Sequence, residues 1–182
     1  MLQFLHTCER LKITKRTGWV DRGVDNAESI GDHMHRMSII ALLVKDQTID
    51  KNRLVKMAVV HDLAEAVVGD LTPHSGISKA EKEKLERAAI VSFVETNGHS
   101  KEILEIQALW EEYEAATTKE ALLCKDIDKF EMILQAFEYE KRTGKKLQEF
   151  YDSTKGKFTH PEVIALAQAL YIERQQDLGF ET

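Results

Sequence analysis

Two prolines, Pro73 and Pro161, are all that 182 residues contain, and that scarcity constrains the fold more than any other feature. Proline removes a backbone donor and clashes with the preceding turn, so long helices need stretches free of it. In most of these stretches apolar residues recur at the three-to-four-residue spacing of one helix face. No segment sustains period-two alternation. An all-α chain is expected.

Leu2, Leu5, Cys8 and Leu11 predict a first helix, and Thr17 to Asn26, with two glycines and no clear period, a loop. Ile30, Met34, Met37, Ile40, Ala41 and Val44 stripe a second helix. A third runs from Asn52 to Val67, with Leu54, Met57, Ala58, His61 and Glu65 on one face. Gly69 to Ser78 is a loop by its Gly, Asp, Thr, Pro and Ser content. Ser78 and Glu81 have capping-box spacing and open a helix that reaches Glu95 and ends at Asn97-Gly98. Ser100 to Ala115 turns Ile103, Ile106, Leu109 and Trp110 inward. Thr118 to Arg142 is a long helix, striped by Leu123, Ile127, Phe130, Leu134 and Phe137 and stopped by Gly144. Thr159, Pro161 and Glu162 open a last helix to Gln175. With no repeat, linker or low-complexity tract, a single domain over 1–182 is expected, its core about 4–174.

Hydrophobic residues at 43% and charged residues at 31% are those of an ordinary globular chain, which excludes disorder as the default. The net charge of −6 argues against a nucleic-acid polymer as partner, because basic surface supplies most of that affinity. A small phosphorylated ligand, held by one Arg or Lys or by a metal, stays open. Cys8 and Cys124 stand far apart in no metal-like spacing, as free thiols in a reducing compartment do. No run approaches the roughly 20 apolar residues that span a bilayer. The N-terminal MLQFLHTCERLKITKR has neither a long apolar run nor a small-residue cleavage site. A soluble cytoplasmic protein, without membrane contact, is expected.

Chemistry concentrates in VVHDLAEAVVGDLTP. His61 and Asp62 lie late in an apolar stripe, and successive helix residues point roughly 100° apart, so one helix cannot bury both the same way. Both need polar partners, and a divalent cation between helices would satisfy both. His33 lies on the inward stripe one turn before Met37, and Asp128 lies between apolar positions in KDIDKFEMILQ. Two imidazoles with two carboxylates suit a borderline divalent ion such as Mn, Fe, Co, Ni or Zn. Four protein ligands leave room for water and a phosphate oxygen only on a five- or six-coordinate ion, which argues against closed tetrahedral zinc. Each part alone is weak. An interior His is more often a satisfied core residue, and Asp128 beside Lys125 and Lys129 reads equally as a surface ion pair. The ordered set in an all-α chain is much rarer than its parts.

The order H…HD…D resembles the HD-domain superfamily. ERLKITKRTGWVDRGV, ESIGDHMHRM, HDLAEAVVGDLTP and the later MILQAFEYE resemble its 5′-deoxynucleotidase branch, the HD domain-containing protein 2 group, from Phe4 to Arg174. HDxxExxxGD, His61 to Asp70, is the specific part. The resemblance implies a compact HD-domain bundle with a metal between helices, held by His33, His61, Asp62 and Asp128. Asp126 competes for the last place, but the family pattern sets the ligand three residues before Glu131-Met132, which selects Asp128. The ion would be Mn, Co, Mg, Fe, Ni or Zn. Glu65 and Asp70 match catalytic groups by the scissile phosphate, where some members hold a second ion, and Arg16 matches a phosphate contact. The implied activity is hydrolysis of deoxynucleoside 5′-monophosphates to deoxynucleoside and phosphate, by a homodimer.

These roles are chemically coherent. Glu65, one turn after Asp62, can orient the attacking water or protonate the leaving oxygen. Asp70 sits where a loop can aim it, and Arg16 can grip phosphate bidentately. Blander readings stand beside them: Glu65 as a solvated carboxylate, Asp70 as a turn residue after Gly69, Arg16 as one base among several in KITKR. Trp19 is either core or a substrate-binding ring that stacks on a base. His35 should point away from His33, and His6, His74, His99 and His160 read as surface. The Gly69–Ser78 loop is a candidate lid. The rival functions are an HD phosphohydrolase for a cyclic or signalling nucleotide, and a non-enzymatic helical scaffold with a structural metal.

Overall fold

The computed structural model describes residues 1–72 and 75–180. It contains α1 (Leu2–Ile13), α2 (Thr17–Asp21), α3 (Ile30–Leu43), α4 (Lys51–Val60), α5 (Glu65–Val68), α6 (Lys79–Thr96), α7 (Lys101–Ala115), α8 (Lys119–Thr143), α9 (Gln148–Thr154) and α10 (Pro161–Leu178). No strand occurs among the described residues, only an isolated bridge between Lys15 and Ser29, so the all-α reading holds. No helix among them is long and apolar enough to cross a membrane. Pro73 and His74 lie outside the described residues.

Local chemistry sets the helix that carries the first histidine. The Ser29 hydroxyl accepts from Asp32 N while the Asp32 carboxylate accepts from Ser29 N, a reciprocal capping box that starts α3. Within its first turn, a Cβ on Gly31 would stand 3.2 Å from the Leu11 carbonyl oxygen, a tight contact that would push the end of α1 back by a few tenths of an ångström. α3 packs on α4 and α8, and α10 packs on α8.

Two apolar clusters result. One gathers Met37, Leu54, Met57, Ile127, Phe137 and Leu170 from α3, α4, α8 and α10. The other gathers Ile30, Met34, Ala66, Ile90, Phe93 and Trp110 from α3, α5, α6 and α7. His33 and His61 are buried where the helices pass from one cluster to the other. The polar site thus sits on the seam between two dry cores.

Three expectations are corrected, and one helix is additional to them. The Thr17–Asn26 segment is not all loop, because Asp70 accepts the Thr17 N–H at 2.6 Å and the Thr17 hydroxyl donates to Asp70 O at 2.7 Å, which fastens the start of α2. The helix expected from Asn52 to Val67 is two, α4 and α5, joined by a tight turn in which Leu63, Glu65, Ala66 and Val67 donate three residues back rather than four. α9 has too short a stripe to show in sequence, yet it forms because Phe150 and Tyr151 pack on the first cluster. Finally, His160, not Thr159, caps α10: its ring accepts from Glu162 N, and it is half-buried against Asp46 rather than free on the surface. The first helix forms as expected, although Leu2 and Leu5 face solvent and Leu11 alone is buried.

Candidate active site

The tight turn after α4 does what a regular helix could not. It brings His61 Nε2 and Asp62 Oδ2 to 3.1 Å, so the two adjacent side chains converge. From α3, His33 Nε2 stands 3.9 Å from the same Asp62 oxygen and 3.2 Å from Asp128 Oδ1 on α8. The two imidazole rings are 5.5 Å apart, centre to centre. Arg16, leading into α2, donates from Nη1 to Asp62 Oδ2 at 3.3 Å. Thus His33, His61, Asp62, Asp128 and Arg16, from four separate stretches of the sequence, share one place.

Each histidine is tied at Nδ1 and open at Nε2. His61 Nδ1 lies 3.0 Å from the Ala58 carbonyl, so it carries the proton there. His33 Nδ1 contacts the Glu131 carboxylate. His33 Nε2, His61 Nε2 and Glu65 Oε2 are buried with no hydrogen-bond partner among the described residues. Such orphaned polar atoms are costly unless something pairs with them. One ligand atom each from His33, His61 and Asp62 falls within a 4.8 Å circle, and Asp128 adjoins it. Two imidazole nitrogens and two carboxylate oxygens are the donor set a borderline divalent cation takes, so the residues fit one.

Burial opposes ionisation of every carboxylate here, and the neighbours decide the outcome. For Asp62 the two histidines and Arg16 outweigh burial and hold it well below the usual carboxylate range. His33, His61 and Arg16 do the same for Asp128. Burial and Arg16 disfavour a proton on His33, yet Asp128 and Glu131 overcome both and raise its pKa to about 9. Glu65 goes the other way: burial, then the charges of Asp62 and Asp70, push it well above its ordinary value. One buried acid is therefore pushed toward its neutral form beside others held ionised.

A cavity of about 510 Å³ opens onto this cluster, lined by Arg16, His61, Asp62, Glu65 and Asp128 and also by Met132, Phe150 and Ser153. Asp70 lines it too, but one of its carboxylate oxygens is occupied by Thr17 N. Trp19 is 2% exposed, its ring packed on Tyr139 and Phe150 and its Nε1 donating to Glu28, so only an edge reaches the wall. Asp126 points elsewhere, accepting from Thr159 N, Thr159 Oγ1, His160 N and Lys129. His35, His6 and His99 are exposed, as expected.

Sequence reasoning passed over three residues here. Glu131, one turn past Asp128, served only as a landmark. Tyr113 donates its hydroxyl to Asp128 Oδ2 at 2.9 Å from α7. Lys82 bonds the Leu71 carbonyl at 2.9 Å and lies 3.8 Å from Glu65, tying the loop after α5 to α6. The i,i+3 spacing of Asp128 and Glu131 was a legible signal for the first. The other two depend on which helices pack together, which no local pattern carries.

Comparison with known proteins places the chain in a family. Residues 8–164 match the family described as HD domain. The 5′-deoxynucleotidase HDDC2 of Dictyostelium discoideum is 49% identical over 96% of this chain and 98% of its own. The protein of the same name from Homo sapiens is 45% identical, over 98% of this chain and 88% of its own. A crystal structure from Pyrococcus horikoshii superposes with a TM-score of 0.77 at 30% identity, covering 97% of this chain and 99% of that one. This chain belongs to the HD-domain family.

Proposed function

We propose that this protein is a metal-dependent 5′-deoxynucleotidase that hydrolyses deoxynucleoside 5′-monophosphates to deoxynucleoside and phosphate. The observation that carries the reading is the meeting of His33, His61, Asp62 and Asp128, with unpaired imidazole nitrogens, beside Arg16 in a cavity of nucleotide size. The names of relatives at 41% to 49% identity supply the substrate class.

His33, His61, Asp62 and Asp128 would hold the divalent ion; donor chemistry favours Mn, Fe, Co, Ni or Zn, and the resemblance adds Mg. When bound, it supplies positive charge to the phosphoryl oxygens and to a nucleophilic water. Arg16 grips the phosphate and leaves Asp62 in part to do so. A water oxygen attacks phosphorus and the bond to the 5′ oxygen breaks; Glu65 donates the proton that the leaving oxygen takes up and is restored by the proton the attacking water gives up. Burial, with the charges of Asp62 and Asp70, favours the protonated form of Glu65. Asp70 serves by fixing Thr17, and through it Arg16. The bond from Thr17 takes one Asp70 oxygen and leaves the other for a second ion near Glu65 and Asp70, but the reading requires only the first ion. The working form we propose is a single-domain, cytoplasmic homodimer acting on free nucleotides, not on nucleic acid; the acidic charge supports the last point.

The test is phosphate release from dAMP and AMP by metal-stripped protein resupplied with Mn, Co or Mg. Metal-dependent release that favours dAMP is expected, and Glu65→Ala should lower kcat about 10²- to 10⁴-fold. Equal rates on the two nucleotides would sink the deoxy preference.

A further inference from the structure

On the side of His33 away from the cavity lies a second polar chain. Its Nδ1 contacts Glu131 Oε2. The other Glu131 oxygen accepts from Arg36 Nε at 2.7 Å. Arg36 is itself forked, donating to Gln135 Oε1 at 2.6 Å and to Glu138 Oε2 at 2.7 Å. Glu131 is fully buried and Arg36 is three-quarters so. His33 and Arg36 are three residues apart on α3, and Glu131, Gln135 and Glu138 are at matching turns of α8. The chain therefore ties two helices along their shared face.

A buried carboxylate needs a reason to be there, since removing it from water is costly unless good partners compensate. Arg36 supplies one partner from the rim. The other is the imidazole, whose remaining nitrogen faces Asp128 and Asp62. An imidazole that donates from Nδ1 must offer its Nε2 lone pair outward, and a carboxylate on the donor side strengthens that lone pair. His61 gets the same orientation from a neutral carbonyl, Ala58 O. The two histidines are thus unequal, His33 backed by a charge and His61 by a dipole.

We propose that Glu131, locked by Arg36, is a positioning residue that fixes the ring and tautomer of His33 and makes it the stronger of the two imidazole donors to a divalent ion. The proposal rests on the reading that His33 ligates a metal. It assigns Glu131 and Arg36 no contact with substrate.

The test uses full-length protein stripped of metal and titrated with Co, reading affinity by competition with a chelator and geometry by the visible spectrum of bound Co. Glu131→Ala should weaken Co binding about 10- to 100-fold and alter the spectrum. Glu131→Gln, which keeps an acceptor for Nδ1 without the charge, should fall between the two. Arg36→Ala should move affinity in the same direction by less, and Arg36→Lys should restore part of it. Thermal melts of the metal-free variants separate this from simple unfolding, because Glu131→Gln keeps the buried shape. Folded Glu131→Ala and Glu131→Gln binding Co as tightly as the parent, with its spectrum, would overturn the proposal while leaving His33 a ligand. Loss of Co binding in the parent itself would instead remove the ligand reading, and this one with it.

Discussion

Asp126 and Asp128 sit two residues apart on α8 and have opposite work. Asp126, 1% exposed, holds the backbone at the start of α10 through three bonds from Thr159 and His160. Asp128 faces His33 and Tyr113. Asp126→Ala should therefore cost about 2 kcal/mol in urea unfolding, by orphaning buried donors, and leave metal affinity unchanged. Asp128→Ala should abolish metal binding, and it should also lower the melting point of metal-free protein, since it removes the partner of Tyr113 and His33. An isothermal titration beside each melt checks both. Both roles could not be told from spacing alone: the two aspartates differ in which neighbouring helix they meet. By contrast His33, His61 and Asp62 were legible, because a polar residue on an apolar stripe is conspicuous wherever the helices lie.

Helices with long stripes or cap signals were readable, and those made by a tertiary contact were not. α6, α7 and α8 begin at Ser78, Ser100 and Thr118, each accepting from the amide three residues on. α2 depends on Asp70, fifty-three residues away, and α9 on packing against Trp19. Asp70→Ala should accordingly loosen Arg16 and raise KM for dAMP more than it lowers kcat; an equal fall in kcat with KM unchanged would give Asp70 a role in the chemical step. Between elements, Glu112 on α7 accepts from Arg53 of α4 and from the Thr118 hydroxyl that caps α8. The Arg53 bond holds its carboxyl below the usual range, burial opposing. Its folded pKa is depressed, so its contribution is present above the unfolded value near 4.3 and is lost as pH falls through the folded value. Urea midpoints should show Glu112→Gln less stable than the parent at pH 7, the gap closing in acid; a gap that widens in acid would contradict this.

At the scale of the molecule, the site bridges two apolar clusters, and an ion there would join α3, the α4–α5 turn and α8 across their seam. Binding to the folded chain alone stabilises it by mass action, about 2.7 kcal/mol at a hundredfold excess over Kd. Adding Mn or Co to stripped protein should thus raise the melting temperature by roughly 5–10 °C, and His61→Ala with Asp62→Ala should cancel the rise. The all-α architecture was visible in the sequence because helix periodicity is local, whereas the seam exists only once the two clusters have formed. A second group of donors, Glu28, His33 and Glu131, lies on the far side of the same histidine. The measurement that decides between the two is anomalous scattering from crystals of the protein grown with Mn. The account predicts one strong peak bounded by His33 Nε2, His61 Nε2, Asp62 and Asp128. A peak on the Nδ1 side, between Glu28 and Glu131, or no peak at full Mn, would contradict it.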